Sequence, residues 1–206
     1  MFEKVYNTLK EEKAVAVIRT NTYEEAKEIS IAAIEGGMKI IEVTMSVPNA
    51  PKLIKELKEQ FKSICVGAGT VLSKDAVDEC IENNADFIVS PCVDEEIINY
   101  AIQRKSLIIP GLMTMSEVNK VYKLGLRFIK VFPGSVVGKG FIGAVKSIFK
   151  DISIMPTGGV NKDNISEWIQ AGADCSGIGS DLNKIYKSNG TEGVKQYCIE
   201  VMEKVK

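Results

Sequence analysis

Three charged residues interrupt runs that are otherwise apolar. Arg19 closes Val15-Ala16-Val17-Ile18, Glu42 stands inside Ile40-Ile41-Glu42-Val43-Thr44, and Lys130 stands inside Phe128-Ile129-Lys130-Val131-Phe132. If these runs are strands, alternation puts Glu42 on the face of Ile40 and Thr44, and Lys130 on the face of Phe128 and Phe132. An acid and two cations aimed into one interior are costly unless they meet and pair. As a set they have a definite chemistry. A desolvated lysine near a second cation is pushed toward its neutral amine, which attacks a ketone or aldehyde to form a Schiff base. That reaction needs a carboxylate to move protons, and Glu42 is the acid embedded in a strand. Taken singly, each charge has a plainer reading, an edge or helix-facing position that reaches solvent; the coincidence of the three carries the expectation.

A second signal is suited to an anion. Pro156-Thr157-Gly158-Gly159-Val160-Asn161 and Gly177-Ile178-Gly179-Ser180-Asp181-Leu182 each follow an apolar run late in the chain. Glycine loops leading into helix N-termini present amide N–H groups to a phosphate. Glycines also simply make tight loops. Neither stretch has the spacing of a Walker loop or a dinucleotide fingerprint.

Composition narrows the chemistry further. The 206 residues include 26 Lys+Arg and 27 Asp+Glu, a net charge of −1 that gives no reason to expect nucleic acid or an anionic membrane as partner. Histidine is absent, which removes Ser-His-Asp and Cys-His catalysis and every zinc site with a His ligand. The five cysteines are scattered with no Cys-x-x-Cys pair, so they read as buried reduced thiols. The opening Met1-Phe2-Glu3-Lys4-Val5-Tyr6 lacks the apolar core of a signal peptide, and no apolar stretch approaches membrane-spanning length. The expectation is a soluble, cytoplasmic protein that uses neither cofactor nor metal.

The elements that must position these residues follow from the pattern. Apolar runs at 14–19, 39–44, 64–66, 86–90, 107–109, 127–132, 152–155 and 175–179 start about 20 to 25 residues apart, the length of one strand, one helix and two short loops. Amphipathic stretches lie between them. Thr22-Tyr23-Glu24-Glu25 and Pro48-Asn49-Ala50-Pro51 open helices, and Ser73, Asp94, Ser116 and Asn161 sit where caps belong. A weak repeat supports the count: Gly36-Gly37-Met38, Asn84-Ala85-Asp86, Gly125-Leu126-Arg127 and Gly172-Ala173-Asp174 each end a helix and lead into a strand. Eight strand–helix units allow an open doubly wound sheet or a closed barrel, and the count favours a single (β/α)₈ TIM barrel over residues 1–206. Residues 2–10 read as an extra N-terminal helix over its lower end. In such a barrel the working residues lie at the C-terminal ends of the strands. Met113, Met115 and Met155 read as gap fillers, and Trp168 as packing on the barrel wall.

Ala16-Val17-Ile18-Arg19, Glu35-Gly36-Gly37, Ile41-Glu42-Val43-Thr44, Val66-Gly67-Ala68-Gly69-Thr70-Val71, Ser90-Pro91, Ile109-Pro110-Gly111, Lys130-Val131-Phe132-Pro133 and Pro156-Thr157-Gly158-Gly159-Val160 occur in this order. The combination resembles the 2-keto-3-deoxy-6-phosphogluconate (KDPG) and 4-hydroxy-2-oxoglutarate (KHG) aldolases. The resemblance implies a homotrimeric barrel that splits a small 2-keto-4-hydroxy acid into pyruvate and an aldehyde. It implies Lys130 as the Schiff-base lysine and Glu42 as the general acid/base. Substrate binding is implied for Thr70, at the pyruvate end, and for Pro91 and Phe132 within their motifs. Gly158, Gly159 and Ser180 are implied as the phosphate site.

One departure matters. Many family members carry a carboxylate-binding arginine two residues after the threonine of Glu-Val-Thr, and here that position is Ser46. A serine cannot supply a bidentate cationic fork, so the expectation is that Arg19 supplies the cation. The choice among the gluconate substrate, its galactonate epimer and unphosphorylated keto-hydroxyglutarate stays open. A metal-dependent phosphate-binding barrel enzyme, or a barrel that only binds a phosphorylated metabolite, are the readings from other classes.

Overall fold

In a computed structural model describing residues 2–206, the alternating pattern resolves into eight strands and ten helices. The strands are β1 (Ala14–Ile18), β2 (Ile40–Thr44), β3 (Cys65–Gly69), β4 (Ile88–Ser90), β5 (Ile108–Leu112), β6 (Phe128–Val131), β7 (Ser153–Pro156) and β8 (Ser176–Ile178). All pair in parallel in the order β7-β6-β5-β4-β3-β2-β1-β8. The ring closes where the Asp174 amide donates to the Ile154 carbonyl at 2.9 Å and Thr157 bridges Gly177. This is the (β/α)₈ barrel the pattern calls for.

Alternation along the strands divides the core into two shells. Val15, Val17, Ile40, Val89, Ile109, Phe128 and Met155 point inward and pack with Phe87, while Ala16, Ile18, Ile41, Val43 and Val66 face the helices. Helix α1 (Phe2–Glu12) covers the lower end. Its Leu9 is fully buried with the inner shell, and Tyr6 sets its ring edge-on to Phe128 and donates to the Arg127 carbonyl at 2.6 Å. Trp168 is buried on the outer shell.

Helices α2 (Tyr23–Glu35), α4 (Lys74–Glu82) and α5 (Glu95–Gln103) begin at Thr22, Ser73 and Asp94, whose side chains accept amides of the first turn. Helix α3 (Ala50–Gln60) carries Pro51 in its first turn. Left-handed residues after the helices, Gly37, Asn84, Gly125 and Gly172, stop them before the next strand. Lys105, at φ 55°, does the same after α5 without a sequence signal of this kind.

Several expectations are corrected. Helix α6 (Met115–Lys123) is capped by Thr114, in a reciprocal box with Glu117, and not by Ser116, which lies inside the helix. Helix α9 (Ile165–Gln170) begins after Asn164; Asn161 instead folds the preceding turn by accepting the Asp163 and Asn164 amides. Strands β3 and β5 run on to Gly69 and Leu112, past the ends of their apolar runs. Met113 is 44% exposed rather than filling a gap, and Cys92 is exposed while the other four thiols are buried.

The two halves of the barrel share a device at the bottom. Lys58 contacts Asp86, which also accepts the Val66 amide; Lys146 contacts Asp174, which also accepts the Ile154 amide. Between β6 and β7 the crossover is two short helices, α7 (Gly134–Val137) and α8 (Gly140–Ile148). The last helix, α10 (Ser180–Val205), is broken at Gly190. Among the described residues no helix is long and apolar enough to cross a membrane.

Candidate active site

Strands β2 and β6 lie across the barrel from one another and bring Glu42 and Lys130 together. The lysine Nζ is 3.1 Å from Glu42 Oε1 and 3.5 Å from Oε2, with side-chain exposures of 7% and 1%. Beneath them Ile40, Phe128 and Met155 make an apolar floor. Charges this dry persist only because they meet. Space for the carboxylate comes from β3, where a Cβ on Gly69 would lie 2.2 Å from Glu42 Oε1, so any side chain there displaces the acid.

Above the pair opens a cavity of about 610 Å³. Lys130, Arg19, Thr70, Pro91, Phe132, Gly158, Gly159 and Ser180, all expected at a substrate site, line it, and Glu42 reaches it through its contact with Lys130. The Phe132 ring lies 5.5 Å from Lys130 Nζ, with the ammonium over its face.

Arg19 does not join the buried pair, contrary to the expectation that all three charges meet. Its Nη1 donates to Ser46 Oγ at 3.0 Å and its Nη2 to Thr70 Oγ1 at 2.7 Å. Asn183, on α10, donates its side-chain amide to the Arg19 carbonyl. Among the described residues no carboxylate forms an ion pair with Arg19, so neutral hydroxyls hold a cation whose charge stays available to a ligand. Thr70 does this from a left-handed backbone, φ 59°, a conformation a β-branched residue adopts only when its surroundings impose it.

The opposite wall carries the glycine loops. Gly158 and Gly159 have φ of 90° and 81°, which turns successive amides along the cavity. Among the described residues the Gly159 and Val160 amides have no hydrogen-bond acceptor. Ser180 opens α10, whose N-terminus adds a partial positive charge.

Two cavity residues escaped sequence reasoning. Thr157 is 6% exposed and its Oγ1 has no partner among the described residues; its presence beside the glycine pair was visible, but nothing in the spacing tells that its hydroxyl stays free. Asn183 sits one turn into α10 and carried no signal. Elsewhere, burial pushes the Cys80 and Cys198 thiols up to about 12, and it raises Cys175 as well, with the Asp174 and Glu42 charges adding to it. Among the described residues no three His, Cys, Asp or Glu side chains gather as a metal-ligand set.

Residues 5–196 match the sequence model of the family described as KDPG and KHG aldolase. The chain belongs to the KDPG and KHG aldolase family. Among relatives of this aldolase, the 2-dehydro-3-deoxy-6-phosphogalactonate aldolase of Escherichia coli is 31% identical over 176 residues, 84% of this chain and 86% of its own length. The 2-dehydro-3-deoxy-phosphogluconate aldolase of Zymomonas mobilis is 31% identical over 147 residues, 71% of this chain and 70% of its own. Among solved structures, the KDPG aldolase of Legionella pneumophila superposes with a TM-score of 0.84 at 26% identity, covering 92% of this chain and 94% of that one. It holds pyruvate captured as a covalent carbinolamine intermediate.

Proposed function

We propose that this aldolase works through a Schiff base on Lys130. Its reaction would split 2-dehydro-3-deoxy-6-phosphogluconate into pyruvate and glyceraldehyde-3-phosphate, 4-hydroxy-2-oxoglutarate into pyruvate and glyoxylate, or both. The observation that carries this reading is the 3.1 Å contact between buried Lys130 and Glu42 at the floor of a cavity walled by glycine amides. The covalent pyruvate adduct of the Legionella pneumophila relative supports it.

In this reading the Lys130 proton passes to Glu42, and the neutral amine attacks the C2 ketone. Glu42 returns a proton to the carbinolamine hydroxyl, which leaves as water and gives the protonated imine. Glu42, again a carboxylate, takes the C4 hydroxyl proton through a water. The C3–C4 bond breaks, its electrons flow into the imine, and the aldehyde departs. The enamine takes a proton at C3, and water hydrolyses the resulting imine to pyruvate and free Lys130. Arg19 and Thr70 hold the C1 carboxylate. Pro91 and Phe132 shape the walls around the reacting carbons. Gly158, Gly159 and Ser180 hold the distal phosphate.

Incubation with pyruvate and borohydride, with and without EDTA, followed by peptide mass mapping tests this. One reduced pyruvate adduct on the peptide containing Lys130 is expected, unchanged by EDTA; folded protein that forms no adduct overturns the reading. The galactonate epimer is a second reading, since the Escherichia coli phosphogalactonate enzyme, at 31% identity, matches 84% of this chain, against 71% for the equally identical Zymomonas mobilis phosphogluconate enzyme. Comparison of kcat/KM for the two epimers and for 4-hydroxy-2-oxoglutarate separates them. The proposal includes a homotrimer in the cytoplasm. Leu72, Met113 and Val136, exposed beyond the ends of β3, β5 and β6, support self-association. Equilibrium sedimentation giving a concentration-independent monomer mass would remove the trimer.

A further inference from the structure

Glu42, Thr44 and Ser46 are spaced by two along the end of β2 and the turn that follows it. The first contacts Lys130. The other two form a chain of hydrogen bonds with a direction. The buried Thr44 hydroxyl donates to the Ile18 carbonyl at 3.0 Å. That uses its one proton, so in the 2.9 Å contact between Thr44 Oγ1 and Ser46 Oγ the serine donates. Ser46 then has only lone pairs to offer on its other side, where Arg19 Nη1 approaches at 3.0 Å. The chain thus runs from a guanidinium to the backbone carbonyl of the residue immediately before it in sequence.

We propose that Ser46, backed by Thr44, is a positioning residue: it fixes the plane of the Arg19 guanidinium in the orientation that meets a substrate carboxylate. This rests on the assignment of Arg19 to the carboxylate. Ser46 and Thr70 together engage one N–H on each terminal nitrogen, which leaves three of the five guanidinium N–H groups for the ligand. A hydroxyl suits position 46 for two reasons. It accepts from the guanidinium, and being neutral it does not cancel the charge, as a carboxylate would. Asn183 and Thr70 hold the arginine from the other sides, so loss of Ser46 loosens the plane of the guanidinium without releasing the residue.

The test is borohydride trapping over a range of pyruvate concentrations, read as a half-saturating concentration and a maximal rate. Ser46→Ala is expected to raise the half-saturating pyruvate about 10-fold, the scale of one hydrogen bond to a charged group, with the maximal rate little changed. Ser46→Thr, which keeps the hydroxyl, restores the wild-type value, and Ser46→Asp weakens binding more than alanine does. Trapping of acetone, a ketone without a carboxylate, is the same in Ser46→Ala and wild type. Arg19→Ala raises the pyruvate value further, and adding Ser46→Ala to it changes nothing more. If Arg19→Ala is impaired while Ser46→Ala matches wild type, or if the two effects add, the positioning role is overturned and the assignment of Arg19 survives. If Arg19→Ala leaves the half-saturating value unchanged, that assignment falls and the positioning role falls with it. Should Ser46→Ala fail to fold, the isosteric pair Ser46→Thr and Ser46→Val carries the same comparison.

Discussion

An offset of 88 residues carries Glu42 onto Lys130, and it carries Lys58, Val66 and Asp86 onto Lys146, Ile154 and Asp174. At the bottom of the barrel the two halves therefore share one contact, an aspartate held between a lysine and a strand amide, to which the second half adds Lys10 of α1 at 3.7 Å from Asp174. At the top they diverge. The first half places Gly69 and then Thr70 at the end of β3, giving room to an acid and a hydroxyl to Arg19. The second half has the opposite order, Thr157 and then Gly158, giving a free hydroxyl and a turn into the free Gly159 and Val160 amides. The contrast separates the two tasks of the fold: lower contacts hold strand to helix, and the residues at the strand tops decide the chemistry.

That division can be broken first at the floor of the cavity. Lys130→Ala is expected to abolish the borohydride-trapped adduct, and Glu42→Gln to reduce turnover by about 10² to 10⁴ while still forming adduct slowly. The double exchange Glu42→Lys/Lys130→Glu keeps both charges at equivalent positions. Its activity should stay at the level of Lys130→Ala, because the space beside position 42 is shaped for a carboxylate; recovery toward wild type would show that the halves are interchangeable.

A smaller contrast lies one strand further round. Gly69→Ala sets a methyl group against Glu42 Oε1 and should cost about 1–3 kcal/mol of stability, with a loss of turnover. The equivalent second-half change, Thr157→Val, removes a hydroxyl that has no protein partner, so the unfolding midpoint should hold or rise slightly. Denaturant titration of both variants ranks them. At the bottom the halves should behave nearly alike: Asp86→Ala and Asp174→Ala each strand a backbone amide and should each cost about 1–3 kcal/mol, the half-exposed Lys10 contact of Asp174 adding little, with turnover per folded molecule unchanged. Unequal costs would show that the lower contacts are not equivalent. The smallest effect concerns the thiols. Alkylation at pH 8 should mark Cys92 alone in the native protein, since burial keeps Cys80 and Cys198 protonated well above that pH, and all five after denaturation. Peptide mapping reads this out.

The barrel was legible in the sequence because its punctuation is repetitive: Asn84-Ala85-Asp86 and Gly172-Ala173-Asp174 each combine a left-handed helix stop with the aspartate that grips the next layer. The upper ends of β3 and β5 were not legible, and the reason is the site itself. Gly69 leaves room for Glu42, and Gly111 lies so close to the Pro91 carbonyl that a Cβ would be 2.4 Å from it. Strand residues chosen for such clearance lose the branched side chains that mark a strand. Arg19, Glu42 and Lys130 were found because charge is rare inside an apolar run. Ser46, Thr157 and Asn183 were passed over as site residues because hydroxyls and amides are common everywhere, and their meaning lies in which partners they have or lack. The cap of α6 is legible in the Thr114–Glu117 spacing of a capping box, two residues before the Ser116 expected there.

Thr70 has a consequence for anyone evolving this protein in the laboratory. Its left-handed backbone carries a strain of about 1–3 kcal/mol, and a glycine would adopt the same shape without it. A library screened for heat resistance alone would therefore enrich Thr70→Gly, with a higher melting temperature and no hydroxyl for Arg19 Nη2. Screened for pyruvate capture, the same library would discard it. Position 70 is thus a marker of which pressure a lineage has been under.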